Sequence, residues 1–131
     1  MPVAVHIKTD ETWTAEQIQL LKTTLEICLQ ETLIDLGVNP SDLSHIGNDF
    51  YFQGRKFSCS EQIFTDGVFT QNTIITMQLL PEKDIFERLT GKYARRKTLT
   101  GITEEVASIT KEAFINKFYE KLQAYVEKYF N

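Results

Sequence analysis

At 131 residues, 42% hydrophobic and 24% charged, the chain has the balance of one globular domain, which argues against a disordered segment and against two ordinary domains side by side. Its net charge of −4 argues against a nucleic-acid binder, whose balance is usually basic. No apolar run approaches the roughly 20 residues of a membrane span, and residues 1–8 lack the features of a secretory signal, so the expectation is a single cytoplasmic domain over residues 1–131 with Cys28 and Cys59 reduced.

In chain order, Val3 to Ile7 reads as a short strand. After a polar break at Asp10 to Thr14, Thr14 and Gln17 are spaced as a capping box and open a helix. Ile18, Leu21, Leu25, Cys28, Leu29, Leu33 and Leu36 then recur at three- and four-residue steps, and Gly37 supplies the stop. Asn39 to Gly47 has a loop composition, with a turn started by Ser41 or Asp42. Asp49 to Gln53 and Lys56 to Phe64 read as strands around a tight turn at Gly54-Arg55, and a third strand, Thr73 to Leu79, follows the Asp66-Gly67 turn.

Pro81 fits the first turn of a short helix with Ile85, Phe86 and Leu89 on its apolar face, ending at Gly91. The basic stretch Lys92, Arg95, Arg96 and Lys97 follows, then Thr103-Glu104-Glu105, which suits a single capped turn. Ser108 and Thr110 open the last helix, whose apolar face is Phe114, Ile115, Phe118, Leu122, Tyr125, Val126 and Tyr129. Clustered strands flanked by helices predict an α+β fold, a small antiparallel or mixed β-sheet packed by two long helices and one short helix.

The most informative stretch is Asn48-Asp49-Phe50-Tyr51-Phe52-Gln53-Gly54-Arg55-Lys56-Phe57-Ser58-Cys59-Ser60. It resembles the order found in lipoate–protein ligases: Asn-Asp-aliphatic, hairpin, Gly-Lys-Lys/Arg-Lys, then Ser-Gly-Ser/Asn. Gln71-Asn72-Thr73-Ile74-Ile75 sits where that family has His-Gly-Thr before an apolar strand, and Lys97-Thr98-Leu99-Thr100-Gly101-Ile102 resembles its basic segment before the final helix. The resemblance covers the lysine-bearing, C-terminal half of a biotin/lipoate ligase catalytic domain.

That resemblance implies a role for Lys56 as the cation that contacts the acyl carbonyl and phosphate of an acyl-adenylate, since a fixed positive charge stabilises the charge developing in adenylation and transfer. It also implies Asn48, Asp49, Arg55, Ser58, Ser60 and Thr73 as ligand-binding candidates. From the single residues alone, Lys56 reads as a solvated strand lysine beside Arg55, and Ser58 and Ser60 as the solvent-facing half of an alternating pattern.

Departures from the family pattern matter. Cys59 stands at its glycine, Glu61 at a small residue and Gln71-Asn72 at His-Gly, so bulk should narrow a pocket. An Arg-Arg-x-Ser-Gly-Gly-Gly segment, whose glycine amides would cradle phosphates, does not precede Val3, and none of the six glycines adjoins another. The expectation is therefore a truncated or degenerate domain that binds a lipoyl-type carrier domain or an acyl-adenylate. The alternatives are one half of a split ATP-dependent lipoate–protein ligase completed by a complementary chain, and a structural or inhibitory interaction protein contacting through Phe50, Tyr51, Phe52 and Phe69. ATP and lipoate or lipoyl-adenylate would enter only with retained activity; the spacing of His6, His45 and the cysteines gives no metal site.

Overall fold

The computed structural model describes residues 1–8, 13–78 and 98–130. The expected helix from Pro81 to Gly91 and the basic stretch from Lys92 to Lys97 lie outside them. In order run β1 (Pro2–Lys8), α1 (Ala15–Asp35), a 3-10 turn (Pro40–Asp42), β2 (Leu43–Ile46), β3 (Asp49–Phe52), β4 (Arg55–Lys56), β5 (Ser58–Thr65), β6 (Val68–Ile75), α2 (Ile102–Glu105) and α3 (Lys111–Phe130).

α1 starts and stops where its local chemistry dictates. Thr14 Oγ1 accepts from the Gln17 N–H while Gln17 Oε1 accepts from the Thr14 N–H, closing the capping box. At the other end Gly37 takes φ +116, letting its own N–H reach Ile34 O and the Val38 N–H reach Leu33 O, a Schellman closure. Leu21, Leu25, Cys28, Leu29 and Leu33 are buried along the expected stripe. Thr24 and Thr32 are buried as well, each satisfying its hydroxyl on the carbonyl four residues back.

The strands form two three-stranded antiparallel sheets, ordered β1-β6-β5 and β2-β3-β4, rather than one. The run expected as a single strand from Lys56 to Phe64 divides at Phe57. This residue is 1% exposed, donates its N–H to Phe50 O and accepts from Thr76 N–H, so its backbone joins the two sheets. Gln53 and Gly54 both adopt positive φ, as the two-residue turn between Phe52 and Arg55 requires, and Asp66-Gly67 repeats the geometry.

Two boundaries differ from expectation. β2 occupies part of the segment read as a loop, because its four residues pair with β3 while lacking an apolar signal of their own. β6 begins at Val68, directly after the turn, and ends at Ile75; pairing with β5 from Thr65↔Val68 onward overrides the polar residues Thr70, Gln71 and Asn72 that mask it in sequence.

One core unites the sheets and helices: Val5, Leu25, Phe50, Phe57, Phe69, Ile75, Ile102 and Phe114 belong to it. α1 and α3 pack together, but Ile115 and Tyr129, read as core-facing, are largely exposed. Phe50, Phe52 and Phe69 are buried, which corrects their reading as a contact surface. Phe is among the residue types most often fully buried, so strand phenylalanines on a covered face belong to the core.

Gly101 sits where two segments touch. The N–H groups of Ile102 and Thr103 donate to Thr76 O and Met77 O, and a Cβ at Gly101 would lie 2.6 Å from the Gln78 Cα. Only glycine fits so close to another backbone.

Candidate functional site

The β2–β3 turn, β4 and the start of β5 bring together most of the candidate residues. Tyr51 lies directly opposite Lys56 in the β3–β4 ladder. Side chains alternate along β3, so Asp49 shares the face of Tyr51 and reaches Lys56 diagonally. Asp49 Oδ2 accepts from Lys56 Nζ at 3.1 Å, while its Oδ1 accepts the Ser60 N–H at 3.2 Å.

This hydrogen bond raises the Lys56 ammonium above the ordinary lysine value, aided by the Asp49 charge against a weaker opposing effect of burial. Lys56 therefore remains a cation at neutral pH. Both side chains are about one-third exposed at 33%, which leaves the ammonium in reach of solvent.

A chain of polar groups continues from Asp49 across the inner face of the first sheet. Ser60 Oγ donates to Asn48 O at 3.2 Å and lies 2.8 Å from Thr73 Oγ1. Gln71 Nε2 donates to Thr73 Oγ1, and Gln62 Nε2 donates to Gln71 Oε1. The register explains the contacts, because Ser60 opposes Thr73 and Gln62 opposes Gln71. Gln71 is fully buried, yet the two bonds satisfy its amide. Asn48 Oδ1, by contrast, is buried with no donor among the described residues, an unmet acceptor of the kind that needs a reason.

Ser58 and Ser60 do not form the solvent-facing half of β5. Ser58 is 5% exposed and its Oγ accepts the Phe50 N–H, whereas Cys59 takes the outward position. Arg55, on the opposite side of β4 from Lys56, bridges to Glu105, whose Oε1 also accepts from Thr100 Oγ1. The structure thus separates Arg55 from the Lys56 group and ties it to α2.

Beside Lys56 opens a pocket of about 250 Å³ lined by Phe57, Ser58, Cys59, Ile74, Thr76 and Leu99. Leu99 reaches it because residue 99 bridges Lys56 in parallel and the Thr100 N–H donates to Lys56 O. Sequence reasoning placed Leu99 only in a basic segment and Ile74 only in an apolar strand. Their convergence on Lys56 depends on pairing between distant segments, which no local pattern signals. Chemically the arrangement offers an apolar recess with Lys56 among its lining residues, smaller than the ~300–1,000 Å³ of complete small-molecule sites. Among the described residues, no three His, Cys, Asp or Glu side chains gather as metal ligands, and no helix is long and apolar enough to cross a membrane.

No protein-family model and no curated protein matches the sequence. Solved structures do match the fold. The apo biotin protein ligase from Aquifex aeolicus superposes with a TM-score of 0.68 at 17% identity, over 98% of this chain and 53% of that one. A lipoate-protein ligase A bound with ATP gives 0.65 at 12% identity, over 96% and 51%. A structure from work on a bi-partite lipoate protein ligase and its E2 lipoyl domain from Thermoplasma acidophilum gives 0.61 at 11%, over 96% and 50%.

The chain therefore has the fold of the biotin and lipoate protein ligases. It spans about half the length of these solved chains.

Proposed function

We propose that this chain is a partial or degenerate biotin/lipoate ligase-like domain that binds a lipoyl-type carrier or an acyl-adenylate, with Lys56 as the anion-facing group. The observation that carries the reading is that Lys56, its ammonium held by Asp49, is one of the residues lining an apolar recess of about 250 Å³. An acyl chain suits the recess and its carboxyl or phosphate end suits the ammonium, since a pre-placed charge meets an anion with little reorganisation.

The residues fit such a ligand in part. Lys56 can face a carboxylate or phosphate, and the Asn48 oxygen, without a donor among the described residues, can accept from a ligand. Ser60 and Thr73 already satisfy one another, and Arg55 is engaged by Glu105, so these three act as supports. The recess is too small for a whole acyl-adenylate. Exposed Cys59 occupies room that glycine would leave free. Two free thiols suit a reducing, cytoplasmic home.

Titration of the ¹⁵N-labelled chain with lipoyl-adenylate, and separately with a lipoyl carrier domain, tests the proposal. Amide shifts at Lys56, Cys59 and Leu99 that vanish in Lys56→Ala are the expected result. Absence of shifts at millimolar ligand overturns it.

A second reading, one half of a split ATP-dependent ligase, draws on the partial span of the solved ligases. Bound ATP would supply the adenylyl group that activates a carboxylate, and Lys56 would hold the activated end. Pyrophosphate release from ATP and lipoate only after a complementary chain is added supports this reading; release by the chain alone contradicts it.

A further inference from the structure

Two residues that line the Lys56 recess come from distant parts of the chain. Lys56 itself and Leu99 stand side by side because Leu99 bridges Lys56 in parallel and the Thr100 N–H donates to Lys56 O at 3.0 Å. Their neighbours in sequence, Arg55 and Thr100, do not line the recess. Both instead reach one atom: Glu105 Oε1 accepts from Arg55 Nη2 and, at 2.7 Å, from Thr100 Oγ1. A carboxylate oxygen has lone pairs for two donors, and bonds to an ionised acceptor are the stronger kind.

Glu105 is mounted on a fixed base. At the start of α2 the N–H groups of Ile102 and Thr103 donate to Thr76 O and Met77 O, Ile102 is fully buried, and Thr103 Oγ1 donates to Ile109 O. None of these contacts involves Arg55 or Thr100, so α2 keeps its place without them. Thr76 connects that base to the recess, since it lines the recess and its N–H donates to Phe57 O. The Lys56–Leu99 pairing, by contrast, is an isolated bridge of one residue pair. It has no ladder on either side to hold its register.

We propose that Glu105 is the positioning residue of this recess: its one oxygen grips the residue before Lys56 and the residue after Leu99, and so fixes Leu99 as the wall beside the lysine. Glu105 touches no ligand itself. It spares the ligand the cost of ordering that wall, and preorganisation of this kind raises affinity without a new contact. The inference rests on the Lys56 reading and names what shapes that site.

The test pairs amide exchange in the free, full chain with titration by lipoyl-adenylate. In Glu105→Ala the amide at position 100 should exchange at least about tenfold faster than in the wild type while that of Leu25, in the α1 core, is unchanged, the pattern of a local opening. The lipoyl-adenylate Kd should rise about fivefold, as expected when one side chain must be ordered on binding. Glu105→Gln keeps an accepting oxygen and should recover most of both effects. Thr100→Val removes one donor from the clamp, keeps the backbone bond to Lys56 O, and should shift exchange and affinity in the same direction by smaller factors; it carries the test if Glu105→Ala does not fold.

Wild-type exchange at position 100 in both Glu105→Ala and Thr100→Val overturns the clamp, whatever the ligand does. Unchanged affinity in Glu105→Ala, or a Glu105→Gln chain as impaired as Glu105→Ala, overturns its role in the site. A wild-type chain that shows no shifts with lipoyl-adenylate overturns the Lys56 reading, and the role of Glu105 in binding with it. Lys56→Ala keeps the backbone bonds and should leave exchange at position 100 slow, so failure of the clamp and failure of the lysine site are separable.

Discussion

The hydroxyl of Tyr125 donates to Glu31 Oε1 at 2.8 Å, tying α3 to α1 across 94 residues of sequence. Lys121, one turn earlier on α3, reinforces the junction through Asp35 at 2.7 Å. The bond to Glu31 is the main cause that pushes the Tyr125 phenol up to about 12, with burial and the Glu31 charge adding to it.

The sign of the resulting pH dependence is fixed. A phenol whose value is higher in the folded chain than in the unfolded one contributes stability that is complete below the unfolded value and is lost as pH rises through the folded one. Thermal stability should therefore fall between about pH 10 and 12. Tyr125→Phe should flatten that decline, read as Tm against pH; an unchanged slope would show that the phenol is not the group responsible.

The two thiols should differ sharply in reactivity. Burial, helped by the Glu31 charge, pushes the Cys28 thiol up to about 12, whereas Cys59 is exposed. An aromatic disulfide reagent should consume one equivalent promptly in the native chain and the second only with denaturant, because the thiolate is the reacting form. Two prompt equivalents would contradict the packing of α1.

Asp49→Asn keeps an acceptor for the Ser60 N–H but removes the charge opposite Lys56. The Lys56 value should drop toward that of an ordinary lysine, measured by titrating its Nζ resonance. Both groups are a third exposed, so global stability should change by less than about 1 kcal/mol. The contribution of Lys56 is complete below the ordinary lysine value and disappears as pH rises through the raised one. A Lys56 titration that does not move in Asp49→Asn would dissolve the pairing on which the site depends.

Gly101→Ala should destabilise the chain by about 1–3 kcal/mol, the usual penalty of forcing an extra carbon into close packing. The backbone there has φ −105, which alanine adopts freely, so the loss would come from the contacts of the added carbon with the backbone of Met77 and Gln78. Chemical denaturation measures it, and a shift below about 0.5 kcal/mol, the range of ordinary surface substitutions, would place the 76–78 and 100–103 segments further apart.

The sequence by itself determined the elements whose signals are local. The α1 stripe from Leu21 to Leu33, its capping box at Thr14, its stop at Gly37 and the turn at Asp66-Gly67 each rest on residues within a few positions of one another, whereas the turn read at Gly54-Arg55 falls one residue earlier, at Gln53-Gly54, because Arg55 pairs with Phe52. The ordered motifs from Asn48 to Ser60 carried the likeness to the ligase fold for the same reason. Tertiary structure decided what depends on distant partners. It divided the strand at Phe57 and drew β2 out of an apparent loop by pairing it with β3. It gave Lys56 to Asp49 and Arg55 to Glu105, and left β1 at an edge among the described strands. Helix periodicity and turn geometry follow from the backbone of a few neighbours, but strand register and ion pairing follow from which segments lose water together when the core of Phe50, Phe57 and Phe69 closes.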